Sequence, residues 1–171
     1  MTLVVVGIGN EYREDDGVGL VVVAEIERRG LPNVRVVSTD GEPSRMIEAW
    51  SGADVAVVVD AVRLTDPTPG RVHRMLVDDL PGHVSAASSH GLGVPEAVEL
   101  ARVLDRLPGR LVLYTVEVAE TGFGVGLSDP VAAAVGDLVD TVLRELTNQP
   151  SSDPVRSTAH GERHDGTSPR G

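Results

Sequence analysis

The sequence predicts an α/β fold: a three-layer α/β/α domain with a mainly parallel, twisted sheet of about five strands flanked by helices. Three observations carry that expectation. Short β-branched runs alternate along the chain with longer stretches of helical periodicity, the order expected of a parallel sheet with helices on both faces. Apolar residues make up 41% of the chain but aromatic residues only 2%, so the core is Val, Leu, Ile and Ala, which suits strands buried on both sides. The length, 171 residues, suits one domain with a sizeable core.

Each element follows in order. "TLVVVG" is a short buried strand. "DGVGLVVVAEIERRG" is a helix with Asp at its start and Gly30 at its end. "NVRVVSTD" alternates weakly, as a second strand. "SRMIEAWSG" has helical spacing, with Met46, Ile47 and Trp50 on one side. "ADVAVVVDAV" is the clearest buried strand, and "GRVHRMLV" is another. "GVPEAVELARVLDRL" is an amphipathic helix with a proline near its start. "GRLVLYTVEV" is the last strand, and "SDPVAAAVGDLVDTVLRELTN" a C-terminal helix opened by Ser-Asp-Pro. After Asn148 the composition changes. Residues 149–171, "QPSSDPVRSTAHGERHDGTSPRG", hold almost no large apolar side chains and cannot offset their ordering entropy. The expected organisation is therefore a folded domain over 1–148 and a disordered polar tail over 149–171.

Charge and composition exclude several function classes. A formal net charge of -11 argues against nucleic acid or an anionic membrane as partner. The absence of cysteine removes disulfides, zinc-thiolate sites and a thiol nucleophile. No apolar stretch is long enough for a membrane span, and no basic segment precedes the first strand as in a signal peptide. A cytoplasmic protein is expected. The few aromatics give no obvious hot-spot patch; Trp50 and Tyr12 are the large ones expected near a surface contact.

The most informative segment is "GIGNEYREDDGVG", residues 7–19, between the first strand and the first helix. A glycine-rich turn there usually cradles phosphates. Gly7 and Gly9 fit a dinucleotide fingerprint, but Tyr12 stands where the third glycine belongs. Glu11, Glu14, Asp15 and Asp16 oppose a pyrophosphate, so no nucleotide is expected. Carboxylates at the carboxyl end of a parallel strand suit a cation instead. Asp60, ending the run "VAVVVD", is expected at the same edge, and His90 lies in the small-residue loop "SAASSHGLG" before a helix. Carboxylates with one imidazole form a recognised set for a divalent transition ion that leaves positions open. The glycines then let the loop approach the ligand, and the acids make that ligand a cation. The competing reading is that Asp15 and Asp16 cap the following helix. His73 and His83 are read as structural hydrogen-bonding residues.

Together these segments resemble the hydrogenase maturation endopeptidases, which trim the large subunit of nickel-iron hydrogenases. The resemblance rests on "GIGNEYREDDGVG", on Asp40 and Gly41, on "VVVDAV", on "SSHGLG" and on "GFGVGLSDPV", in matching order over residues 3 to 145. It implies Asp16, Asp60 and His90 as the positions that contact nickel, with Asp16 and Asp60 as the catalytic candidates. It assigns loop-shaping or substrate-contacting roles to Gly9, Asn10, Asp15, Asp40 and Gly41, with capping and support as the expected work of Asp15. The sequence departs from the pattern after Asp40, where Gly41, Glu42 and Pro43 replace a Gly-Gly-Thr type turn.

The reaction so implied is removal of a C-terminal extension from a nickel-loaded large-subunit precursor, an aspartate-type, metal-assisted peptide cleavage. The nickel is supplied by the substrate, and the precursor is the implied partner. The serines fall into no recognisable triad order. The alternatives are a self-contained metal-dependent hydrolase and a non-cleaving, nickel-sensing chaperone.

Overall fold

A computed structural model describes residues 1–77, 93–119 and 122–147 of the chain. The elements run β1 (Leu3–Ile8), a single 3-10 turn (Glu14–Gly17), α1 (Val18–Arg29), β2 (Val34–Thr39), α2 (Pro43–Trp50), β3 (Val55–Arg63), β4 (Val72–Leu76), α3 (Gly93–Val103), β5 (Arg110–Val118) and α4 (Asp129–Thr147). They form one five-stranded sheet in the order β2-β1-β3-β5-β4. The first four of these strands are mutually parallel and β4 runs antiparallel against β5. The expected three-layer α/β/α architecture is the observed one. The expected tail and the segment carrying His83 and His90 lie outside the described residues. No helix among the described residues is long and apolar enough to cross a membrane.

The direction of β4 has a simple cause. A parallel return needs a crossover of about a dozen residues or more, usually a helix. Residues 64–71 contain no helix, so the chain leaves β3 at the carboxyl edge, stays there, and runs back.

Two apolar layers sandwich the sheet. On one face α1 and α4 pack through Val22, Val23, Ile26, Leu138 and Val142 onto Val5, Val57, Val59, Val112 and Val116. On the other, α2 and α3 pack through Met46, Ile47, Trp50, Val94 and Val98 onto Val4, Val6, Val58, Leu111 and Leu113. Alternate residues of β1, β3 and β5 thus serve opposite layers, which is why these strands are apolar throughout. Trp50 is fully buried in the second layer. The expectation that it lies near a surface contact is therefore wrong: its helical spacing with Met46 and Ile47 wins, and the layer closes over the indole.

The strand order places a topological switch point between β1 and β3. From β1 the chain turns to β2 on one side, and the return through α2 brings β3 to the other. In open α/β sheets the crevice at the carboxyl end of such a switch point is where ligands bind.

Candidate functional site

The loop after β1 is held against the sheet by close backbone packing. A Cβ at Gly7 would overlap the Gly19 carbonyl, one at Gly9 the Asp16 carbonyl, and one at Gly19 the carbonyls of Ile8 and Val59. These glycines are therefore spent on bringing the start of α1 onto β1 and β3. What approaches these three positions is the protein's own backbone. Asn10 shapes the same loop, its Oδ1 accepting the Tyr12 N–H at 3.0 Å while its carbonyl accepts the Arg13 N–H at 3.1 Å. This is an Asx turn, which a short amide side chain favours.

The packing delivers the acids to distinct places. Asp15 and Asp16 are both buried, in the 3-10 turn that packs against β3. The residues at the N-cap positions of the turn and of α1, Arg13 and Gly17, make no side-chain cap. Asp15 reaches across the fold to the residue before α4. Its Oδ1 accepts the Ser128 N–H and its Oδ2 the Ser128 hydroxyl, each at 2.6 Å. Both oxygens of a buried carboxylate are thereby committed, and the first loop is tied to the start of the last helix.

Asp16 is 0% exposed. Asp60 is 2% exposed; it lies inside β3 rather than at its end, because β3 continues to Arg63. Gly7 pairs with Val59, so Asp60 is one residue beyond and level with the last residue of β1. It shares a sheet face with Val58 and is in register with Thr115 of β5. Its Oδ1 accepts the Ala61 N–H at 2.8 Å. The turn carrying Asp16 and the strand carrying Asp60 thus meet at the carboxyl end of the β1/β3 switch point. Among the described residues no group of three His, Cys, Asp or Glu is gathered as a metal site; the third expected member, His90, lies outside them.

Asp40 and Gly41 follow β2. Asp40 is exposed, with its Oδ1 accepting the Glu42 N–H at 3.3 Å and lying 3.7 Å from Arg45 Nη1. Gly41 takes φ 94°, a left-handed value that favours glycine. The departure of this turn from the family pattern has a local explanation. Glu42 is the N-cap of α2, accepting the N–H groups of Ser44 and Arg45 at 3.2 and 3.1 Å, with Pro43 in the first turn. The Ser44 hydroxyl and these N–H groups hold the Glu42 carboxyl below its ordinary value.

A further buried carboxylate stands at the same edge. Glu117, on β5, accepts the Thr68 N–H at 3.0 Å and lies 2.7 Å from His73 Nε2 and 3.8 Å from Arg71 Nε. The Thr68 N–H first, then His73, hold its carboxyl below the ordinary range. His73 is thus a hydrogen-bonding residue, as its sequence context suggested. Sequence reasoning missed its partner, Glu117, and it also missed Ser128. Both partners are set by register and by packing over long sequence separations, for which no local signal exists.

A three-layer domain with buried acids at its switch point is the frame of a ligand-handling α/β protein. Comparison with known proteins makes that class specific. The hydrogenase maturation protease family matches residues 20–145, and the chain belongs to that family. It is 30% identical over 149 residues to the hydrogenase expression/formation protein HupD of Thiocapsa roseopersicina, over 84% of this chain and 67% of that protein. Its fold is similar to the hydrogenase maturating endopeptidase HybD of Escherichia coli, with TM-score 0.77 and 22% identity over 86% of this chain and 93% of that one. It is also similar in fold to the [NiFe] hydrogenase maturation protease HybD of Thermococcus kodakarensis, with TM-score 0.72 and 23% identity over 85% and 99% of the two chains.

Proposed function

We propose that the protein is an endopeptidase that removes the C-terminal extension of a nickel-loaded hydrogenase large-subunit precursor, and that Asp16, Asp60 and His90 read the nickel carried by that substrate. Family membership supports the peptidase activity. The observation that carries the site is the packing of the turn that holds buried Asp16 against the strand that holds buried Asp60, at the carboxyl end of the β1/β3 switch point. Carboxylate and imidazole donors suit a divalent ion such as nickel. In this reading Asp15 supports the loop from behind through Ser128, and Gly9 and Asn10 hold its shape.

The cleavage needs a water nucleophile, a group to take its proton and a way to stabilise the oxyanion. One of the two carboxylates, Asp16 or Asp60, accepts the proton from water. The substrate's nickel polarises the scissile carbonyl as a Lewis acid. The deprotonated water adds to the carbonyl carbon, forming a C–O bond; the peptide C–N bond then breaks, the new amine takes the proton held by the carboxylate, and the extension leaves.

The test is intact mass of a nickel-loaded precursor incubated with the protein, beside Asp60→Asn and His90→Ala. The expected result is loss of a C-terminal peptide with the wild type, and none with either variant or without nickel. A stable complex with no change of mass would replace the protease with a non-cleaving chaperone. Dialysed protein that still holds about one metal per chain (an order-of-magnitude stoichiometry for a dedicated site) would favour a self-contained metallohydrolase.

A further inference from the structure

The loop before α4 and the loop after β1 are joined. The Gly124 N–H donates to the Tyr12 carbonyl at 2.9 Å, and the Glu14 N–H donates to the Gly124 carbonyl at 3.1 Å. Arg13 and Gly124 thereby form an isolated parallel bridge. In "GFGVGL", residues 122–127, glycine alternates with an apolar residue. Leu127 turns inward and packs against the core. Phe123 and Val125 do not: they are 91% and 82% exposed, and Tyr12, which precedes Arg13 in the bridged loop, is 64% exposed. The two bridged loops thus leave large apolar side chains in water, a feature that marks interaction sites when they form a patch.

Along these loops runs a groove of about 280 Å³, lined by Glu11, Glu14, Leu20, Val21, Val125 and Leu127 among others. Its floor is the outward side of α1, where the apolar run continues past what the core uses: Val21 and Ala24 are exposed. Gly17 and Glu14, which flank Asp15 and Asp16, also line it, so the groove starts at the turn that carries the proposed nickel contact. Its acidic end is Glu11 and Glu14. Glu14 has φ 51°, a left-handed conformation that costs a non-glycine residue energy. Such strain is retained where the side chain is used.

We propose that this groove is the docking site for the stretch of precursor adjoining the cut: an extended peptide with apolar side chains on the floor and a Lys or Arg between Glu11 and Glu14. The assignment rests on the function proposed above and adds a specificity determinant to it. Charge complementarity selects the occupant. A chain of net charge -11 that places two of its acids on an apolar groove disfavours neutral and acidic segments and attracts a basic one. A second copy of this chain is a poor occupant, because an isologous contact brings each patch against itself and sets Glu against Glu. The chain's own residues 149–171 offer a single large aliphatic side chain, Val155, too little to fill an apolar floor.

The experiment is steady-state cleavage of the nickel-loaded precursor by the full-length protein carrying Glu11→Gln and Glu14→Gln together. Loss of two matched charges raises KM about tenfold with kcat changed less than about twofold, since the contact is made equally in the ground and transition states. Reversing the basic residue of the extension to Glu gives the same rise with the wild type, and Glu14→Lys restores cleavage of that reversed substrate. A photocrosslinking side chain in place of Val125 joins the extension. An unchanged KM in a protein that still cuts overturns the groove assignment alone, and a wild type that leaves the precursor uncut overturns the proposed function beneath it. Crosslinks from position 125 to residues 149–171 or to a second copy, in place of the extension, overturn the assignment by naming another occupant.

Discussion

Two groups of acids stand at the carboxyl edge of one sheet, and the protein treats them differently. Glu117 is surrounded by its own chain: a backbone N–H from Thr68, the imidazole of His73 and the guanidinium of Arg71. It pins residues 64–71, which have no helix or strand of their own, onto β5. The acids after β1 are divided instead. Asp15 commits both oxygens to Ser128, Asp16 lies in the turn that packs against the strand of Asp60, and Glu11 and Glu14 stay at the surface. A buried carboxylate whose partners close around it is structure. Position in the crevice where α/β sheets take ligands is what makes an acid a candidate for chemistry. Consecutive residues go to different places: Asp15 reaches toward α4, and Asp16 sits in the turn that packs on β3.

The comparison breaks most severely where the first loop is held. Gly19→Ala places a methyl group against two backbone carbonyls that cannot move independently, so a loss of stability of roughly 3 kcal/mol or more is expected. Chemical denaturation measures it; a loss below about 1 kcal/mol would show that the start of α1 can lift off the sheet at little cost. Next comes Ser128→Ala, which leaves a buried carboxylate short of one hydroxyl partner while the backbone N–H remains. A loss of about 1–3 kcal/mol is expected, with the rate of precursor cleavage lowered as well, because the loop carrying Asp16 loosens. An unchanged rate in a destabilised protein would separate the support role of Asp15 from the site.

Glu117→Gln sharpens the other half of the comparison. Its folded pKa is depressed by Thr68 and His73, so its contribution is present above the ordinary carboxylate range and is lost as pH falls through the folded value. The variant is therefore expected to melt lower near neutral pH, and the difference from wild type to shrink on acidification. A difference constant with pH would mean that Glu117 contributes shape rather than charge. The smallest effect is a gain. Glu14→Gly removes the left-handed strain at a non-glycine residue and is expected to add up to about 1 kcal/mol of stability, while weakening the precursor's hold on the groove. Stabilisation without any rise in KM would return Glu14 to a purely local role.

Much of this molecule was legible in the residues. The five strands and four helices follow from apolar periodicity, and strands such as "VAVVVDAV" announce burial on both faces because alternate valines serve two separate helix layers. Gly30 ends α1 with φ 65°, as a C-cap glycine does. The first loop was recognisable as an acid-bearing variant of a glycine turn, and Tyr12 as an exposed aromatic. What was not legible has particular causes. Trp50 departs from the expected surface contact, and its place in the Met46–Ile47–Trp50 stripe is the better guide to its burial. Gly7, Gly9 and Gly19 let backbone meet backbone, a contact that no local signal announces. The exposure of Phe123 and Val125 has no local signal either, because an alternating glycine-apolar stretch has the same pattern whether its side chains turn in or out.

The sequence alone determined what depends on neighbours along the chain: which segments are strands or helices, the two-layer demand of an apolar sheet, the helix stop at Gly30 and the concentration of acid after the first strand. Tertiary structure alone decided what depends on neighbours across it. The antiparallel course of β4, the pairing of Glu117 with His73, the capture of Asp15 by Ser128 over 113 residues and the meeting of Asp16's turn with the strand of Asp60 all required the sheet order to exist first. Local periodicity records which face of an element is apolar. It does not record which distant polar group will stand beside a given carboxylate, and that proximity is set only when the sheet is assembled.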